Sequence, residues 1–241
     1  MNTPPNRSPR PATPPSTTGS PPPPNRQRDP HPDASEGGPL TFSLQIRLAD
    51  SLPPGGIDSW RAEIEEAAAR ENLEEIEVRR RLARRIQDEL NAGHGSCWLR
   101  QPEIAGMVAE CIRASHGHHH QVRAWVVVPN RVHAVVTLAT GADIMALVRQ
   151  WKATTAREAG QRLDVDPREF WDRGAFVRPC RDETDAQYRI RDVEFLPVNA
   201  GLCQRPCDWE WSSAHRPPGP PRPAAPGPVP GTPATRRPGP I

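Results

Sequence analysis

VRAWVVVPNRVHAVVTL, residues 122–138, decides the fold. Its first seven residues are rich in β-branched side chains, Pro129-Asn130 makes a tight turn, and 132–138 alternates again; together they predict a β-hairpin. Earlier in the chain, 42–48 alternates through Phe42, Leu44, Ile46 and Leu48 and predicts a first strand. The run Ser51-Leu52-Pro53-Pro54-Gly55-Gly56 breaks that strand. From 57 to 90 the chain is charged and helix-favouring, with Asp58 or Ser59 as a cap and Ile76, Leu82, Ile86 and Leu90 as a narrow apolar stripe. Gly93-His94-Gly95 stops it. Pro102 suits the first turn of a further helix, in which Ile104, Met107, Val108, Cys111 and Ile112 follow helical spacing and mark a core face. After the hairpin come a helix over 143–163, buried through Ile144, Leu147, Val148 and Trp151, a strand-like stretch over 170–181, and a last helix over 184–196 ended by Pro197. The order β, α, β, β, α, β, α predicts an antiparallel sheet with helices packed on it, an α+β domain.

The rest of the 241-residue chain cannot build a core. Most of its 32 prolines lie before about residue 40 or after about residue 216. Segments 1–39 and 216–241 bury too little apolar surface to offset chain entropy, so they read as disordered or polyproline II tails around a domain over 40–215, with 57–92 as a charged helical insertion. The PPPP run at 21–24 would fit an SH3-like groove, which makes a Pro-rich interaction protein one open reading beside a passive solvated tail. No apolar run reaches the ~18 residues of a membrane span, and the N-terminus has no apolar secretory core. Five cysteines without framework spacing fit reduced thiols in a cytoplasm. A net charge of +2 gives no overall basic field, so any contact with nucleic acid has to rest on a local site.

Six segments occur together in order: FSLQIRLADSLP, GHGSCWLRQPEIAGMVAE, VRAWVVVPNRVHAVV, WKATTARE, FWDRGAFVRPCRDE and LPVNAGLCQRPCDWEWSSA. Through them the chain resembles the REP-associated tyrosine transposases, a branch of the single-tyrosine HUH (IS200-like) transposases, over roughly 42–214. The resemblance implies a ferredoxin-like sheet that binds single-stranded or hairpin DNA, in a cytoplasmic, nucleoid-associated protein, with a homodimer left open. It also implies a Mg2+- or Mn2+-assisted tyrosine that cleaves and rejoins one strand through a phosphotyrosine. Such a cation polarises a non-bridging phosphate oxygen, two His one residue apart on a strand can hold it from one face, and a Tyr on a facing helix attacks the phosphorus.

The residues at those positions are different ones. The first metal His falls on Arg131, which has no lone pair to give, and the second on His133. The tyrosine falls on Asp192 and a polar ligand on Leu196, while the chain's one tyrosine is Tyr188, a turn earlier, or about 5.4 Å along the axis. Three readings therefore stand. In the first, Tyr188 and Asp192 reproduce nucleophile and ligand with His133 on the metal. In the second, a nuclease-inactive relative only binds structured DNA. The third is the Pro-rich interaction protein. Tyr188, Asp192 and Phe195 share one helical face and Ala186, Ile190 and Val193 the opposite one, so Tyr188 and Asp192 also read as plain surface neighbours. Arg131 binds a phosphate or pairs with Asp192 or Glu194; His133 is a ligand or a half-buried hydrogen-bonding residue. By resemblance, Arg149, Lys152 and Arg157 face DNA; without it they are a solvated helix face. His118-His119-His120 and the Cys203/Cys207 spacing are weak metal patterns. Trp209 and Trp211 read as packing anchors, and Ser212 and Ser213 have no identifiable base.

Overall fold

In the computed structural model of the chain, residues 39–117 and 119–217 are described. The expectations for 1–38, for 218–241 and for His118 lie outside the described residues. Four strands form one antiparallel sheet: β1 (Leu40–Arg47), β2 (His120–Val128), β3 (Arg131–Leu138) and β4 (Phe176–Pro179), in the spatial order β2-β3-β1-β4. With α3 (Pro102–Ala114) between β1 and β2 and α4 (Ile144–Leu163) between β3 and β4, this is the β-α-β-β-α-β ferredoxin-like topology. Between β1 and α3 stand α1 (Gly56–Glu71) and α2 (Glu75–Ala92), and α5 (Glu183–Asn199) follows β4.

Alternation along the strands sorts the side chains onto two faces. Phe42, Leu44, Ile46, Val132, Ala134, Val136 and Leu138 are buried on one face, beneath Ile104, Val108 and Ile112 of α3 and Leu147, Val148 and Trp151 of α4. Each large apolar side chain so buried contributes about 1.5–3 kcal/mol of transfer free energy. On the other face Ala124, Val126, Val128 and Val135 pack under Val193, Leu196 and Ile190 of α5. The free edge of β2 is covered as well. Val127 N donates to Trp211 O at 2.8 Å, Ser213 N to Trp125 O at 2.9 Å, and Trp209 Nε1 to Val127 O at 2.8 Å. Trp209 and Trp211 are thus the anchors expected of them, and Ser213 Oγ accepts from Trp125 N at 3.0 Å.

Five local expectations need correction. The helix-favouring run 57–90 is two helices, because Asn72 adopts the left-handed conformation at the end of α1. α1 begins after Gly55, itself left-handed, so Asp58 and Ser59 lie inside its first turn rather than capping it. The stripe on α2 loses Ile76, which is 58% exposed, while Leu82, Ile86 and Leu90 pack with Leu52, Trp60 and Ile57. Of 170–181 only Phe176–Pro179 is a strand: Phe170 and Trp171 are core residues, ring to ring at 4.7 Å, and Trp98 stacks on Phe170 at 5.7 Å. α5 runs through Pro197 to Asn199; a proline in the last turn forfeits one intrahelical bond, and Leu202 N closes the end on Pro197 O at 2.8 Å.

The insertion is fastened where it returns to the sheet. Gly95 has φ +82° and packs against the Asp50 backbone, where a Cβ would collide with the carbonyl. Ser96 N then donates to Asp50 Oδ2 at 2.7 Å.

Candidate functional site

The β2–β3 turn carries Arg131 and His133 on the face that also holds α5. Arg131 is 1% exposed. Its Nη1 donates to Leu90 O at 3.1 Å and to Asn130 Oδ1 at 2.9 Å, and its Nη2 to Asn91 Oδ1 at 2.6 Å. Asn130 Nδ2 donates to the same Leu90 O at 2.7 Å. The guanidinium is therefore seated on the last turn of α2, which has no basic residue of its own there. A cation at a helix C-terminus meets the negative end of the helix dipole and its unpaired carbonyls. Burial pushes the Arg131 pKa down to about 10, so the group remains charged at neutral pH. The expected pairing of Arg131 with Asp192 or Glu194 does not form, because the end of α2 arrives first; Asp192 instead lies 3.7 Å from Arg189.

His133 is half-buried, and its Nε2 meets Gln45 Oε1 at 2.6 Å. A carbonyl oxygen only accepts, so Nε2 carries the proton. Burial, and then the Arg131 charge, push its pKa down to about 3: the imidazole is neutral. On α5, Ala186 and Val193 are buried as the periodicity predicted, and Tyr188 is 63% exposed. Tyr188 and Asp192 thus occupy the outer side of the helix whose inner side covers the sheet. No hydrogen bond or ion pair joins either of them to Arg131 or His133 among the described residues. This donor set does not fit a divalent cation. Of the two positions that the resemblance gives to metal ligands, one is a guanidinium, and the remaining imidazole is engaged by Gln45 beside that positive charge. Among the described residues, no group of three His, Cys, Asp or Glu side chains is placed to hold a metal ion.

The cations expected on α4 lie on the opposite side of the sheet, among the helices of the larger core. Arg149 is exposed and pairs with Asp143 at 3.2 Å; Arg157 is exposed with no ion pair among the described residues. Lys152 is half-buried, and its Nζ donates to the carbonyls of Asp172, Arg173 (3.0 Å) and Gly174 (3.2 Å), clasping the loop that leads into β4. Burial lowers its pKa while Asp172 opposes that shift. Lys152→Met is expected to leave those carbonyls without their donor and to lower stability by about 1–2 kcal/mol in urea unfolding. An unchanged midpoint would contradict this.

The weaker patterns are dispersed. His119 is exposed; His120 reaches Ser115 Oγ at 3.3 Å, and burial first, then His116 and His119, lower its pKa. Cys203 and Cys207 are free thiols, the former donating to Arg205 O. Sequence reasoning missed Gln45 and the Leu90–Asn91 acceptors. Gln45 was within reach of it: it stands on the polar side of the β1 alternation, as His133 does on β3.

No family model matches the chain. Over 106 residues it is 26% identical to the REP-associated tyrosine transposase of Escherichia coli (strain K12), a match covering 44% of this chain. The chain resembles the REP-associated tyrosine transposases. It spans 61% of the length of that transposase. Among solved structures, the REP-associated tyrosine transposase bound to a REP hairpin aligns over 73% of this chain and 76% of that one, at 14% identity and a TM-score of 0.44. A candidate transposase from Deinococcus radiodurans R1 aligns over 64% and 89%, at 13% identity and a TM-score of 0.32.

Proposed function

We propose that this chain binds structured DNA of the hairpin type and has lost the metal-assisted strand cleavage of the transposases it resembles. The observation that carries the second half is the seat of Arg131. The position that the resemblance gives to a metal ligand is taken by a buried cation whose hydrogen bonds go to the end of α2, so a guanidinium engaged by the protein's own helix stands where a lone pair would be needed. Tyr188, the one side chain able to form a phosphotyrosine, faces solvent on the outer side of α5. The first half is supported by the likeness to a tyrosine transposase and by exposed cations such as Arg157 that have no ion pair among the described residues. Arg149 and Arg157 are then phosphate contacts, while Arg131 and Lys152 act within the fold.

The test is hairpin binding with and without a chelator. Binding is expected to survive EDTA, to weaken as salt rises, and to give neither a nick nor a covalent adduct in Mg2+ or Mn2+. Tyr188→Phe is expected to match the wild type. A Mn2+-dependent nick that disappears in Tyr188→Phe would restore the transposase reading instead.

A further inference from the structure

The insertion, residues 56–92, carries ten acids against seven arginines. Arg70, Arg79, Arg80, Arg81 and Arg85 are each paired with a glutamate of the insertion itself. Among the described residues, that leaves Asp58, Glu63, Glu65, Glu74 and Asp88 without an ion pair, against Arg61 and Arg84. The charge left over on α1 and α2 is therefore acidic. It repels a phosphate backbone and attracts a basic partner. Two of the spare acids meet in one place. A cleft of about 260 Å³ lies between the helices, lined by Trp60, Glu63 and Ile64 of α1 and by Arg84, Arg85 and Asp88 of α2. Arg81, also on its wall, is held by Glu71 at 3.0 Å and Glu77 at 3.5 Å. Arg85 lies over the Trp60 indole, 5.6 Å from the ring centroid, and pairs with Glu89 at 3.0 Å. That pair shows how this wall takes a guanidinium: a flat cation against the ring, with a carboxylate at its edge. Glu63 and Asp88 are exposed carboxylates with no such cation, and the Ser59 hydroxyl donates to Glu63 at 3.1 Å. Trp60 is 8% exposed, so the cleft offers little apolar area to a nonpolar helix, and recognition here has to be ionic at the rim.

We propose that the α1–α2 cleft is a docking site for an arginine-bearing segment of another protein, with guanidiniums held by Glu63 and Asp88 and the chain laid along Ile64 and the edge of Trp60. The site is independent of hairpin binding and gives the insertion a partner of its own. The full chain, in EDTA, is titrated into a labelled Gly/Pro peptide of about ten residues carrying two arginines, and into counterparts carrying two lysines or two glutamates. The arginine peptide is expected to bind and to lose about tenfold in affinity from low to physiological salt. The lysine peptide should bind about fivefold more weakly, since an ammonium does not stack, and the glutamate peptide not at all. Glu63→Gln combined with Asp88→Asn should cost about tenfold. Arg84→Gln, which removes a like charge from the cleft, should raise affinity about twofold. A site for anions would give the opposite sign in both variants. All three positions are exposed, so the urea midpoints and the hairpin binding of the variants should match the wild type. The docking site is overturned if the arginine peptide fails to bind, if the glutamate peptide binds equally well, if binding survives the double substitution, or if Arg84→Gln weakens it. Hairpin binding lost in the double variant would make the insertion a DNA contact and overturn it as well.

Discussion

Arg131→Ala is expected to lower the free energy of unfolding by about 3 kcal/mol, measured by urea denaturation at neutral pH. Three effects add. The substitution empties the volume of the largest fully buried side chain among the described residues. It strips Asn91 Oδ1 of its donor and leaves Leu90 O with Asn130 alone. It also removes a buried cation from the C-terminal end of α2, whose last turn has no basic residue of its own. Asn91→Ala should cost less, and the double variant less than the sum, because the two side chains share a hydrogen bond. Arg131→Lys should fall between, since it keeps the charge and loses the fork. A loss below about 0.5 kcal/mol for Arg131→Ala, the size of an ordinary surface change, would mean that the insertion is not fastened here.

The second large effect is a pH dependence. The folded-state pKa of His133 is pushed down to about 3 by burial and by Arg131, whereas an unfolded imidazole titrates near its ordinary value of 6.5. The unfolded chain therefore binds the extra proton in between, and stability falls as pH drops from 6.5 toward 3. At pH 5 the loss relative to pH 7.5 reaches up to about 2 kcal/mol from this residue alone. The large shift of Glu183 works in a different window. Glu183, held to about 2 by hydrogen bonds from Arg123 and Gln187, stabilises the fold above the ordinary carboxylate pKa and loses that contribution only as pH falls below it. Unfolding curves at pH 7.5, 6 and 5 for the wild type and His133→Gln isolate the imidazole: the variant is expected to be flatter across this range. Parallel curves would show that His133 reaches solvent and titrates normally.

What could be read in the sequence was what depends on local periodicity. The alternation of Phe42, Leu44 and Ile46 and of Val132, Ala134 and Val136 fixed both strands and their buried face, and the 3.6-residue spacing of Ala186, Ile190 and Val193 fixed the inner side of α5. The likeness to a family of transposases was legible in the six ordered segments. The state of the site was not, because it depends on where a remote segment ends. Arg131 was weighed against a phosphate and against the acids of α5, yet its partners are residues 90 and 91, across 40 positions of chain and an insertion with no fixed length or direction in sequence. Lys152 resisted for the same reason, since the carbonyls it holds belong to an irregular loop with no periodic signal. Phe176 and Arg178 sit on a four-residue strand, too short for alternation to be told from chance.

The C-terminal segment that pairs with β2 has a bearing on how the protein can be trimmed. Because Trp209, Trp211 and Ser213 use up the outward donors and acceptors in the middle of that strand, they act as a hem on the sheet. A polypeptide cut short ahead of them would keep all four strands, yet would present raw ladder groups at Trp125 and Val127 of β2, inviting a neighbouring molecule to stitch itself on. Removal of everything past Arg216 keeps the hem; removal from Cys207 onward unpicks it.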